Sequence, residues 1–111
     1  MQLHIDWGEP VIPREQVLQI QPRDLDGFYF GASDLDKSNL FFLLLNSLHR
    51  YEGEQDHRRA ARLSFLAAYY LFITLKPPGS WELAQYYINK AVALDGEPEY
   101  LTWQALIEKG N

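Results

Sequence analysis

The sequence predicts an all-α fold, an antiparallel array of about four helices preceded by an extended N-terminal arm. Beyond residue 32, apolar residues recur at three- and four-residue steps, the spacing of one helix face. The periodic stretches open on Ser33, Asp56, Ser80 and Pro98 and close near Gly53, Pro77 and Gly96, which are helix start and stop residues. Residues 1–32 lack that rhythm and are cut into short pieces by Pro10, Pro13 and Pro22 and by Gly8, Gly27 and Gly31. The expected organisation is therefore an arm over residues 1–32, packed on the helices, and a helical domain over residues 33–111.

Composition narrows the function. A chain of 111 residues that is 47% hydrophobic can bury one core and is too apolar for a disordered segment. A net charge of −5 argues against nucleic-acid binding, which depends on Lys and Arg facing phosphates. With zero cysteines, thiolate chemistry, zinc–cysteine sites and disulfide scaffolds are excluded, and a cytoplasmic setting is compatible. Asp6 and Glu9 in the first ten residues do not resemble a secretory leader. The uncharged stretch 63–75 is shorter than the roughly 20 apolar residues that span a bilayer, so no membrane role is expected.

In the arm, Leu3, Ile5 and Trp7 alternate with His4 and Asp6, as in an extended segment with one buried side. Residues 13–20 favour a short helix with Pro13 at its start over a short strand. The aromatic run Phe28-Tyr29-Phe30 is expected to hold the arm against the helices. The first long helix starts at Ser33 with Asp36 three residues on, and ends at Gly53. Its run Leu40-Phe41-Phe42-Leu43-Leu44-Leu45 is apolar all round, so cover on more than one side is expected. The second helix runs from Asp56 to about residue 75, where Pro77-Pro78 ends it. The third, residues 81–95, has Ser80 as its cap and Glu82 in its first turn, at the positive end of the helix dipole. Its Trp81, Ala84, Ile88 and Ala91 share one face, and the two alanines admit a neighbouring backbone. Gly96 is placed to close this helix in a left-handed conformation. Pro98 then opens the fourth helix, which runs to Lys109.

Helices two and three together resemble a tetratricopeptide repeat. Leu63, Leu66, Ala67 and Tyr70 match the large–large–small–aromatic spacing of that repeat's first helix. Ala84, Ile88 and Ala91 match the small–large–small spacing of its second, and Lys90-Ala91-Val92-Ala93-Leu94-Asp95 resembles its usual ending. The likeness covers about a third of the chain, and the loop at 76–80 lengthens the unit by roughly five residues over the usual ~34. Gly96 stands where that family has proline. The resemblance implies a protein-binding role without a cofactor, with the partner held on the inner side of the first helix. Carried over, that side is Ser64, Ala68, Leu71 and Phe72. None of these is basic or an asparagine, so a clamp for a peptide carboxylate is not implied.

Other constellations are weaker. Arg58, Arg59 and Arg62 beside His49, Arg50 and His57 form the basic concentration of the chain, a candidate patch for an anion or an acidic partner. Glu52, Glu54 and Asp56 interleave with them and cancel much of their field. Asp24-Leu25-Asp26-Gly27 and Asp34-Leu35-Asp36 read as a turn and a helix cap, since no closing glutamate completes a calcium loop. His4 and Asp6 are too few for a metal site. No nucleophile elbow or phosphate loop is present. Tyr69, Tyr70, Tyr86, Tyr87 and Tyr100, with Trp81 and Trp103, supply hot-spot chemistry, and Tyr86 lies off the buried face of its helix. The expected function is a non-catalytic interaction module that binds another protein, or a second copy of itself as a dimer. The alternatives are a chaperone-like subunit of a larger assembly, and a helical enzyme or ligand-binding domain with a pocket beneath the arm.

Overall fold

A computed structural model describes residues 3–110; Met1, Gln2 and Asn111, the outer ends of the two segments expected from sequence, lie outside the described residues. Among the described residues all regular structure is helical. The elements are α1 (Arg14–Val17), α2 (Pro22–Gly31), α3 (Asp34–Gly53), α4 (His57–Tyr69, prolonged by a π-helical segment Tyr70–Leu75), α5 (Ser80–Leu94) and α6 (Pro98–Lys109). No helix among them is long and apolar enough to cross a membrane.

Most boundaries follow from local chemistry. Ser33 Oγ accepts from Asp36 N at 3.1 Å and caps α3. Asp56 Oδ1 accepts from Arg59 N at 3.2 Å and caps α4. Both ends of α5 depart from expectation. The turn after Pro78 needs a left-handed residue, and Gly79 supplies it at φ 78°. Gly79 thereby becomes the cap, and Ser80 is the first helical residue, its N–H donating to Pro77 O at 3.0 Å. At the far end Asp95 closes the helix in extended conformation, φ −159°, so Gly96 is not left-handed. The 95–97 connection turns directly into α6, where Glu97 N donates to Asp95 O at 2.8 Å.

The segment expected to be an extended arm carries two helices. Asp24 sits at the third position of α2, and its carboxylate accepts from Gln21 N at 2.8 Å. Pro22 opens that helix with its preset φ. The Asp24-Leu25-Asp26-Gly27 run is therefore helix, not turn. Val17, Ile20 and Leu25 are completely buried and share one core with α3 and α4. Ahead of α1, Ile12 N donates to Ser47 Oγ at 2.9 Å, Tyr51 Oη donates to Ile12 O at 2.5 Å, and Asn46 Nδ2 donates to Pro10 O at 2.7 Å. Three side chains of α3 thus fix the backbone of residues 10–12.

The centre of the fold is α4. Every residue from 60 to 72 is buried. Helix α4 packs most extensively on α5 and next on α3, while α5 also packs on α6. Ala84, Ile88 and Ala91 of α5 are buried, and Ser64 Oγ donates to Tyr87 O at 2.7 Å across the α4–α5 contact. Tyr70 Oη donates to Lys37 O at 2.5 Å, pairing the end of α4 with the start of α3. Tyr100 stacks on Phe65 at 4.9 Å, and Trp103 meets Tyr69 edge-on at 5.2 Å, so α6 also contacts α4. Trp81 Nε1 donates to Ile107 O at 2.7 Å and satisfies a carbonyl near the end of α6.

The widened segment at 70–75 has a local cause. Tyr69 Oη and Thr74 Oγ1 donate to the two oxygens of Asp26, at 2.6 and 2.7 Å. In an α-helix, side chains five residues apart diverge by about 140°. A π turn brings them toward one side, where one carboxylate of α2 can hold both. Lys76 N correspondingly donates to Leu71 O, five residues back, at 3.2 Å.

Arg62 joins the layers. It is 6% exposed. Its Nε and Nη2 donate to Ile20 O at 3.1 and 2.7 Å, Nη2 also reaches Gln21 Oε1 at 3.2 Å, and Nη1 reaches Glu99 Oε1 at 2.9 Å. Its guanidinium lies 5.2 Å from the Phe65 ring centroid. Only a planar fork with five N–H donors meets all of these acceptors at once. Replacing Arg62 by Ala leaves the Ile20 carbonyl buried without a partner. The expected loss is about 2–4 kcal/mol of unfolding free energy. Arg62→Lys is expected to recover less than half of it. Urea denaturation monitored by circular dichroism checks both; a loss within ~0.5 kcal/mol for Arg62→Ala contradicts the role given to this side chain.

Candidate functional site

The structure divides the candidate residues sharply. Ser64, Ala68, Leu71 and Phe72, the inner side implied by the repeat resemblance, are all buried. Ser64 faces the α5 backbone. A solitary helix pair would leave this side of α4 open, but here α4 is enclosed by its neighbours and by the arm. These four residues form part of the core. Tyr86 is 59% exposed, as its position off the buried α5 face implied.

The arginine patch also resolves differently from its sequence pattern. Arg62 points inward and its donors are taken. Arg59 is half-buried, with Nε donating to Arg14 O at 2.8 Å and Nη1 to Asp56 Oδ2 at 3.1 Å. Arg14 in turn pairs with Glu54 and Asp56. Arg58 alone of the three is exposed. Two of the three, Arg59 and Arg62, bond to backbone carbonyls of the arm, at Arg14 and Ile20.

Asp56 is the pivot of that junction. Burial pushes its carboxyl up, but hydrogen bonds from the Arg59 backbone and side chain, with the charges of Arg59 and Arg14, outweigh this and hold it below its ordinary value. Elsewhere, burial, and then the Asp26 hydrogen bond and charge, push the Tyr69 phenol well above its ordinary value, so it stays a donor. Burial likewise raises Tyr70. These perturbed groups serve joints between elements. Among the described residues no cluster of three or more His, Asp or Glu side chains is placed to hold a metal.

What the structure does present is an aromatic ridge across α3 and α5. Phe42 is 64% exposed. Its ring lies 6.0 Å from Phe41, Phe41 meets Tyr87 edge-on at 6.4 Å, and Tyr87 meets Tyr86 edge-on at 5.0 Å. The inner two rings, Phe41 and Tyr87, are half-buried and pack on the core, while Phe42 and Tyr86 stand out at either end. A shallow groove continues beside the ridge between Leu45, His49 and Lys90. Lys90 Nζ bridges to Glu52 at 2.7 Å, and that hydrogen bond raises the lysine pKa despite opposing burial. The groove thus has aromatic walls and an internally neutralised rim. Leu83, one turn before Tyr86 and Tyr87, is also exposed.

Phe42 was hidden in sequence inside the uniformly apolar run at 40–45, for which cover on several sides was expected. Leu40, Leu44, Leu48 and Tyr51 form the buried stripe of α3. Phe42 lies about 200° around the helix from Leu40, on the opposite side. Leu35, seven residues earlier, lies on that side too and is 70% exposed. The four-residue stripe was the available signal.

No family profile, curated protein or solved structure matches this chain.

The Asp56 junction makes a pH prediction. A carboxyl held below its unfolded value contributes stability above that value and loses it as pH falls through the folded value. Asp56→Ala is therefore expected to reduce stability near pH 7 by about 1–2 kcal/mol through loss of the cap. The gap from the unmodified protein should narrow as pH falls below 3.8, the ordinary aspartate value. Thermal denaturation from pH 7 to pH 2.5 measures this; a gap independent of pH contradicts the assigned electrostatics.

Proposed function

We propose that this chain is a non-catalytic interaction module, tetratricopeptide-like in its α4–α5 pair, that binds protein through the α3–α5 ridge. The partner it fits best is a second copy of itself. One observation carries the reading: Phe42 and Tyr86 stand exposed at the ends of a chain of contacting rings, one tilted and two edge-on, whose middle is anchored in the core. Rigid aromatic groups bury large area with little loss of side-chain freedom, which is why they dominate binding hot spots. Supporting the repeat-like reading, Leu63, Leu66, Ala67 and Tyr70 of α4 and Ala84, Ile88 and Ala91 of α5 are all buried, and the two helices pack extensively on each other. The cross-contacts between α3, α4, α5 and α6 fit an antiparallel succession. In this arrangement the usual inner groove is closed, and recognition moves to the outer faces of α3 and α5.

The ridge suits isologous pairing, since one apolar strip can meet its own copy across a two-fold axis. Sedimentation equilibrium from 5 to 500 µM (about a hundredfold range, spanning typical weak-dimer constants) tests this. The unmodified protein should dimerise, and Phe42→Ser and Tyr86→Ser should each weaken the dimer more than about tenfold while leaving the circular dichroism unchanged. A strict monomer throughout, or variants that associate as well as the unmodified chain, overturns the proposal.

A further inference from the structure

A second concavity lies beneath residues 3–13, between that segment and α3. Its floor is the buried side chains of Ile12, Ile20, Leu25, Leu40 and Leu44, with Leu3, Ile5 and Leu43 on its walls. Its volume is about 120 Å³. An apolar cavity of around 150 Å³ stays dry and accepts a molecule the size of benzene, so this one takes a slightly smaller hydrocarbon body. The mouth differs in kind from the floor. It is formed by His4, Asp6 and Glu9, all exposed, and neither Lys nor Arg contributes to the lining. Asp6 Oδ1 accepts from Gly8 N at 2.9 Å, which fixes that carboxylate at the rim. The segment carrying the mouth is clasped to α1 by Gln16 Nε2 donating to His4 O at 3.3 Å.

We propose that this cavity is a binding site for a small primary amine with a branched hydrocarbon body. The hydrocarbon occupies the Ile20–Leu25–Leu40–Leu44 floor, and the ammonium group lies at the mouth beside Asp6 and Glu9. A dry apolar floor selects for the body. Two carboxylates, with His4 beside them and neither Lys nor Arg in the lining, select for positive charge and against negative charge. The site is separate from the α3–α5 ridge and does not depend on what that ridge binds.

The test uses the full chain and three probes with the same branched five-carbon skeleton: isoamylamine, isoamyl alcohol and isovalerate. Methyl-selective NMR follows Leu40, Leu44 and Ile20. The amine should shift these methyls saturably and bind about three- to tenfold more tightly than the alcohol, with isovalerate weakest. The double variant Asp6→Asn/Glu9→Gln should bring amine affinity down to that of the alcohol while leaving the alcohol unchanged. Leu43→Phe, which fills the cavity, should abolish all three, with a preserved amide spectrum confirming the fold. Should Leu43→Phe fail to fold, the carboxylate variant alone decides, since it leaves the core intact. Absence of methyl shifts with any probe, or equal binding of amine and isovalerate, overturns the proposal.

Discussion

A buried arginine holds this fold together. Arg62 stands on the central helix, yet its donors reach the Ile20 carbonyl and Gln21 in the arm and Glu99 on α6. A guanidinium withdrawn from water demands acceptors on several sides, and removing any of them leaves a costly unpaired group. The arm must therefore cross α4 at residues 20–21, and α6 must approach with Glu99 toward it. Hydrophobic burial of Val17, Ile20 and Leu25 provides much of the attraction, but it is not directional. The Arg62 fork supplies the register.

With the arm on one side, α3 and α5 on others and α6 contributing Tyr100 and Trp103, α4 has no free face from residue 60 onward. That enclosure changes what the chain can do. Ser64, Ala68, Leu71 and Phe72 on α4 are buried within the protein itself. Apolar side chains left outside the core include Phe42 on α3 and Leu83 and Tyr86 on α5, along with Phe30 on α2. The same layering leaves a small cavity where the segment before α1 bridges to α3, with an apolar floor and an acidic mouth. The ridge and the cavity both follow from covering α4 with an arm that is only partly regular.

The long helices were legible because their ends carry short-range signals: Ser33 and Asp56 bond to amides three residues on, and Pro98 begins α6. The role of α5 as a close-packing partner was legible in Ala84 and Ala91. Centrality of α4 was not. Arg58, Arg59, Arg62 and Ser64 make that helix look half-solvated, and nothing local shows that Arg62 and Ser64 bond to the backbones of distant elements. Helix α2 was missed because Gly27 and two aspartates resemble a turn. In fact one aspartate closes the start of the helix and the other accepts from Tyr69 and Thr74, more than forty residues away. Of the candidate site, Tyr86 was readable from its angle on α5. Phe42 was masked by apolar neighbours whose outward and inward members differ only in phase.

The central claim is that the arm and the helices form one cooperative unit. Native-state hydrogen exchange of the full chain tests it most directly. The amides of Ile12, Val17 and Leu25 should exchange through the same global opening as Leu66 and Ala67 in α4, with free energies agreeing within about 1 kcal/mol and the same denaturant dependence. Arm amides that open several kcal/mol more easily than α4, with little denaturant dependence, would show an appendage resting on an independent helical core and would contradict the account.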